Sequence, residues 1–340
     1  MDVLSNATLK KHWTEFKQLL ENGKKDSYHP FFYHYCRNIS DLGQFTHYVR
    51  NATFLFDLAK RPIKGAKILD VGCGFGIDAM IFSCYGASEV SGIDFNADWI
   101  DTIHAYMKDL NWDLPIHTKQ GDAAKLEYPD NTFDVALSVE AISHYHNVDS
   151  FIKEAYRVLK PGGTLIVSDG NNGANPMIKN KTYDIWKRFE HGPTTAEGEL
   201  FHGHQIKQSF IDMRKDIISE SFPKLSLEEV AELAKNTFAM GKPEIVEACE
   251  EYVNSGQKPN RPFTPRVPAF NPKKNDYIER LFDPRDLAKD MEKLGFSVKA
   301  YSHFGGAGKQ DFVGTANAVL RAFSPVTLWA ARAFKIVATK

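Results

Sequence analysis

Apolar positions recur at helical spacing through the first 65 residues, interrupted by the polar, aromatic stretch Ser27-Tyr28-His29-Pro30-Phe31-Phe32-Tyr33 and resumed from Leu42 to Leu58. That spacing predicts a helical cap over residues 1–65. From Ala66 the pattern changes. Short apolar runs at Lys67 to Val71, Glu89 to Ile93, Ile116 to Gln120, Phe133 to Ser138 and Thr164 to Ser168 alternate with amphipathic segments. Strands spaced this way around helices predict βαβ units and a parallel sheet. The helix before the fifth run extends from about Asp149 to Leu159 and is stopped by Lys160-Pro161-Gly162-Gly163.

The simple alternation ends there, and residues 171–283 read as an insertion. It holds a helix capped by Ser226 and Glu229 in a capping-box pattern with Gly241 at its exit, then a proline-rich loop from Lys258 to Pro272. The α/β pattern returns at Asp283-Pro284, an N-cap and first-turn pair, through a helix ending at Gly295 and a strand from Phe296 to Tyr301. A last helix and a strand from Phe334 to Ala338 close the chain. The expected organisation is a cap over 1–65, an α/β core over 66–170, a mainly helical insertion over 171–283 and completion of the core over 284–340. The fold class is α/β, with a doubly wound sheet of seven strands.

Composition narrows the choice of partner. The 340 residues are 43% hydrophobic and 25% charged, ordinary for a globular chain, and 42 Lys and Arg face 43 Asp and Glu. With no broad positive field, nucleic acid is not an expected partner; a small molecule is. Cys36, Cys73, Cys84 and Cys249 are too scattered for a disulfide framework and read as thiols, and Met1-Asp2-Val3-Leu4 does not open a signal peptide. The expected compartment is the cytoplasm. No apolar run is long enough to span a bilayer, although the stretch from Phe312 to Ala333, broken by Arg321, Pro325 and Arg332, leaves peripheral membrane contact open.

The chemistry concentrates in Lys67-Ile68-Leu69-Asp70-Val71-Gly72-Cys73-Gly74-Phe75-Gly76-Ile77-Asp78, a strand entering a glycine-rich turn that opens a helix. Glycines there let the backbone turn tightly and approach a ligand, and the helix presents free N–H groups. Asp94 ends the next strand, about 20 residues on, where a carboxylate accepts from ribose hydroxyls in dinucleotide folds. Asp122 follows the third strand; by itself it reads equally well as a helix cap. The turn departs from the dinucleotide pattern because Ile77 follows Gly76, and Asp70 is poorly suited to a pyrophosphate. An acid at that point suits a cofactor carrying an ammonium and a sulfonium.

Leu69-Asp70-Val71-Gly72-Cys73-Gly74-Phe75-Gly76 resembles the first motif of class I S-adenosylmethionine-dependent methyltransferases. The likeness extends through Gly92-Ile93-Asp94-Phe95, Gly121-Asp122-Ala123, Phe133-Asp134-Val135-Ala136 and Glu154-Ala155-Tyr156-Arg157-Val158-Leu159-Lys160-Pro161-Gly162-Gly163, in the branch that methylates small molecules and lipids. The resemblance implies a mostly parallel sheet whose last strand is antiparallel, with S-adenosylmethionine as cofactor. It implies that Gly72 and Gly74 adjoin the amino-acid part, Asp94 holds the ribose, Phe95 packs on adenine, and Asp122, with Ala123 beside it, meets the adenine amine. The resemblance is silent over 171–283.

The expected activity is methyl transfer to O, N or C of a small acceptor, amphiphilic or lipid-like. The rival classes are a nicotinamide-dependent oxidoreductase and a catalytically silent cofactor-binding module. In Ser138-Val139-Glu140-Ala141-Ile142-Ser143-His144-Tyr145-His146, which follows the fourth strand, His144 is the candidate general base and Glu140 a support for cofactor or loop. Tyr183, Trp186, Phe189 and Phe201 either line an acceptor pocket or pack a helix. Arg261, Arg266, Lys273 and Lys274 either clamp an anion or face solvent. Phe201-His202-Gly203-His204 lacks a third ligand, so no metal site is expected, and Gly305-Gly306-Ala307-Gly308-Lys309 lacks the spacing of a phosphate loop. Nothing in the sequence bears on oligomeric state.

Overall fold

The computed structural model describes residues 5–23, 27–202, 204–305, 312–324 and 326–340. Met1 to Leu4, Gly203 and the segment Gly306 to Gln310 that follows Gly305 lie outside the described residues. The chain divides into two compact units: one comprises residues 1–142, 147–172 and 283–340, the other residues 143–146 and 173–282.

The first unit is built on seven strands: β1 (Lys67–Val71), β2 (Glu89–Asp94), β3 (Ile116–Gln120), β4 (Phe133–Val139), β5 (Leu159–Asp169), β10 (Ser297–His303) and β11 (Ala333–Thr339). Their order is β10-β11-β5-β4-β1-β2-β3. β11 runs antiparallel to both its neighbours, and the pairings among β1 to β5 are parallel. Both faces are covered, as a parallel sheet requires. Ile68, Val135, Leu137 and Ile166 share one core with helices α1 (Ala7–Asn22), α2 (Pro30–Cys36), α3 (Leu42–Ala59), α4 (Ile77–Cys84) and α5 (Ala97–Asp109). The alternate residues Leu69, Ala136, Leu165 and Val167 are equally buried. On the strands beyond, α6 (Val148–Val158) packs on β5 and α11 (Pro284–Lys293) on β10.

Several local expectations shift. The aromatic stretch from Ser27 is not simply an interruption, because Pro30 sits in the first turn of α2 and the His29 ring caps it. The fifth strand begins at Leu159 instead of Thr164: Leu159 pairs with Phe133 before the register shifts and Val135 pairs with Thr164, so the Lys160-Pro161-Gly162-Gly163 segment is an irregularity inside a strand. The predicted last helix is α12 (Phe312–Ala322), followed by a short 3-10 turn at Val326–Ala330.

The second unit contains α7 (Pro176–His191), β6 (Glu199–Phe201), β7 (His204–Ile206), α8 (Phe210–Ser221), α9 (Leu227–Lys235), α10 (Lys242–Ser255), β8 (Phe270–Asn271) and β9 (Asp276–Tyr277). Ile217, Ile218, Val230, Leu233, Ala234, Ile245 and Cys249 form its helical core. The Ser226–Glu229 capping box opens α9 as the spacing predicts, but Gly241 is not the exit of that helix: α9 ends at Lys235, and Gly241 is the N-cap of α10, donating its N–H to Glu244 Oε2 at 2.9 Å. A fully buried pair, Arg214 with Glu190, is closed by two guanidinium hydrogen bonds, while Arg214 Nε donates to the Ala234 carbonyl at 2.9 Å. Among the described residues, no helix is long and apolar enough to cross a membrane.

Candidate functional site

The turn between β1 and α4 is folded around the end of β2. Gly72 and Cys73 both donate N–H to the Ile93 carbonyl, at 2.8 and 3.0 Å, and Gly74 N–H donates to Asp94 Oδ2 at 3.0 Å. Gly74 holds φ at +55°, a left-handed conformation that glycine adopts without the strain a Cβ brings. Gly92 is required for contact: a Cβ there would lie 2.9 Å from Thr118 Cγ2 and 3.0 Å from Cys73 Sγ. The second Asp94 oxygen, Oδ1, accepts from Asn96 N–H at 2.9 Å, which fixes the carboxylate at the carboxyl edge of the sheet, where α/β folds take ligands.

Three acids converge on this turn. Asp70, next to last in β1, is 3% exposed; burial first, and then the Asp78 and Asp94 carboxylates, push its pKa well above the ordinary carboxylate range. Burial raises Asp78 to about 6, opposed by a hydrogen bond from Tyr48. Tyr48 and Tyr35, from α3 and α2, have their phenols pushed up, first by burial and then by Asp78. Asp78 and the two tyrosines were not among the residues singled out in the sequence; Asp78 stood within the quoted motif, whereas the tyrosines come from helices that give no sequence signal toward this turn. Packed acids of like sign store electrostatic free energy that a cation releases.

The other expected cofactor residues lie around the same edge. Phe95, directly after Asp94, is 59% exposed and presents an unburied ring. Asp122 is exposed and Ala123 buried; Asp122 Oδ1 accepts from Ala124 N–H at 2.8 Å, so the acid caps a tight turn and not a helix. That loop is tied down by Arg157, which donates to the carbonyls of Leu126 and Tyr128 and to Glu154 and Asp130, at 2.7 to 2.8 Å. Glu140 follows β4 with φ at +49°; its N–H donates to the Ser168 carbonyl at 2.7 Å and its Oε2 accepts from Gly170 N–H at 3.0 Å. The turn, Asp70, Asp94, Phe95, Asp122 and Glu140 thus share the carboxyl edge of one sheet.

Residues 69–167 match the family described as a methyltransferase domain. This chain carries a class I S-adenosylmethionine-dependent methyltransferase domain. The domain is 33% identical over 123 residues to a sterol 24-C-methyltransferase of Kluyveromyces lactis, a match covering 35% of this chain and 33% of that protein. It is 33% identical over 133 residues to a fatty-acid O-methyltransferase of Mycolicibacterium smegmatis, covering 38% of this chain and 44% of the relative. With a demethylmenaquinone methyltransferase of Lactobacillus johnsonii the identity is 34% over 123 residues, covering 36% and 50%. The chain therefore spans only a third to a half of the length of these curated relatives.

The first compact unit does not include every expected residue. His144 ends a 3-10 turn, Ile142–His144, and groups with the second unit. Its Nδ1 donates to the Tyr277 carbonyl at 3.1 Å, which leaves Nε2 as the lone-pair nitrogen of the neutral ring. His146 Nε2 donates likewise to the Asn275 carbonyl. Trp186 is buried with Phe210 and Ala269, and Tyr183 and Phe189 pack against them, so three of the four insertion aromatics build core. Phe201 borders a depression of ≈ 370 Å³ with Asp184, Lys187, Arg188 and His191. Three of the four insertion cations are engaged locally: Arg261 with Glu244 at 3.9 Å, Lys273 with Asp216 at 2.8 Å, and Arg266 over the Tyr183 ring. His204 lies 3.9 Å from Glu279, and its pKa is lowered by burial. Among the described residues, no three metal-ligating side chains assemble.

Proposed function

We propose that the whole chain is a methyltransferase that takes its methyl group from S-adenosylmethionine and delivers it to a small amphiphilic or lipid-like acceptor. The observation that carries this reading is the acid-lined glycine turn, in which Gly74 N–H holds Asp94 in place while Asp70 and Asp78 lie buried behind it. The turn suits the cofactor: close backbone approach at Gly72 and Gly74, a fixed carboxylate for two ribose hydroxyls, and negative potential for an ammonium and a sulfonium. When bound, the cofactor supplies a methyl group on positively charged sulfur. The chain's own contribution is to position, with Phe95 open to stack on a base and Asp122 presenting an exposed carboxylate. The lipid-like acceptor class is supported by the sterol, fatty-acid and demethylmenaquinone methyltransferases among the relatives.

Incubating the protein with methyl-labelled S-adenosylmethionine and a lipid extract tests this reading. Label is expected in the organic phase, and Asp94→Ala is expected to lower its rate at least about a hundredfold, the scale of losing a charge-assisted pair of hydrogen bonds. Label confined to water-soluble products, or none with either protein, would overturn the acceptor class.

A further inference from the structure

Beyond the cofactor turn, the same carboxyl edge holds a group of basic side chains, of which Lys335 and His303 are buried and Arg321 half-buried. β11 lies two strands from β4, about 10 Å, and Lys335 on it pairs across to Ser168 on one side and Tyr301 on the other. Lys335 is 5% exposed, with Nζ donating to Ser168 Oγ at 2.8 Å. His303, at the end of β10, is 9% exposed; it stacks on Phe54 of α3, ring centroids 6.4 Å apart, and its Nδ1 is buried with no hydrogen-bond partner among the described residues. Arg321 of α12 lies over the same Phe54 ring, 4.7 Å from its centroid.

The charges do not balance. Burial, and then Lys335, Arg321 and His47, push His303 down to about 3. Burial lowers Lys335 to about 8, with Arg321 adding to the fall and Glu140 opposing it. Burial also lowers Arg321, opposed by Tyr301. Against Lys335 and Arg321 stands Glu140, whose Oε2 already accepts from Gly170 N–H; the buried Asp169, next after Ser168 on β5, belongs to the opposite face of the strand. A positive surplus on the buried Lys335 and half-buried Arg321, beside an unsatisfied ring nitrogen, is costly unless something negative completes it.

We propose that Lys335, His303 and Arg321 seat the carboxylate head of an amphiphilic acceptor. Lys335 and Arg321 supply the charge, His303 donates through Nδ1, and Phe54 offers an apolar wall to the first carbons of the chain. A carboxylate matches a surplus of about one charge better than a phosphate, which carries nearly two. It also arrives already ionised near neutral pH, so no base is needed to prepare it. The assignment of this ligand as the acceptor rests on the methyl-transfer reading; its binding does not.

Calorimetric titration of the full chain with decanoate, decanol and decyl phosphate tests the site, with S-adenosylhomocysteine titrated into the same samples. Decanoate is expected to bind at least about tenfold more tightly than decanol, the scale of one charge-assisted hydrogen bond. In Lys335→Met, and separately in His303→Phe, that preference is expected to shrink to about twofold, while retained S-adenosylhomocysteine binding shows that the fold persists. In the wild type the preference is expected to fall above about pH 8, as Lys335 loses its proton; Glu140 and Arg321 act on it directly, Tyr301 pairs opposite it, and His303 and His47 complete the titratable groups of the cluster. Equal binding of acid and alcohol, tighter binding of the phosphate, or an undiminished preference in both variants overturns the proposal. Failure of S-adenosylhomocysteine to bind the wild type overturns instead the methyl-transfer reading.

Discussion

Asp70, Asp78 and Asp94 are the residues on which the electrostatics of the cofactor turn depend, and their protonation gives a signed prediction. Asp78 is raised to about 6 and Asp70 well above its ordinary range. A carboxylate whose folded pKa exceeds its unfolded value holds a proton that the unfolded chain has lost. The ligand-free protein is therefore expected to lose stability as pH rises from about 4 through the folded pKa. A cationic ligand prefers the ionised acids, so affinity for S-adenosylmethionine is expected to rise about tenfold between roughly pH 5 and 7. The rise should be smaller for S-adenosylhomocysteine, whose sulfur is uncharged. Calorimetry across that range checks it, and a pH-independent ratio of the two affinities contradicts it. Asp70, Gly72, Gly74 and Asp94 were legible in the sequence because a strand, a turn and the next strand end fix them at short spacing. Lys335 and His303 were not, since a lysine within an apolar terminal strand and a histidine at a strand end carry no periodic signal; only the pairing of β11 with β5 puts Lys335 beside Ser168.

At the level of elements, the alternation of short apolar runs with amphipathic segments yields the seven strands, because strands buried on both faces have little compositional freedom, whereas the antiparallel direction of the last one comes from the family resemblance and not from the pattern. What the pattern misses depends on pairing or capping made at a distance. The residues after Leu159 look like a turn in isolation and become strand only through β4 and β11, with Gly162 N–H donating to the Lys340 carbonyl at 2.9 Å. Helix α10 hides behind Gly241 because its start signal, proline in the first turn with Glu244 reaching back, resembles the end signal of α9. The loop bearing Asp122 is held by Arg157, and replacing that arginine leaves two carbonyls and two carboxylates without their donor. Arg157→Met is expected to cost about 2 kcal/mol in denaturant unfolding. A change below about 0.5 kcal/mol, the range of ordinary surface substitutions, would mean that the loop is held by other contacts.

On the scale of the whole molecule, near-equal numbers of acidic and basic residues give no long-range field toward polyanions, so selectivity rests on local groups: the acids at the turn and the cations at β11. The two sets are of opposite sign, which fits a cationic cofactor and an anionic acceptor taken side by side along one sheet edge. Apart from residues 143–146, the second unit lies outside the matched family region, residues 69–167. The cofactor is the claim on which the rest depends. Calorimetric titration of the purified chain with S-adenosylmethionine and with NAD, repeated on Asp94→Ala, tests it most directly. Dissociation constants on the order of micromolar for S-adenosylmethionine, lost in the variant and absent for NAD, are the predicted result; binding of NAD without S-adenosylmethionine would contradict the account.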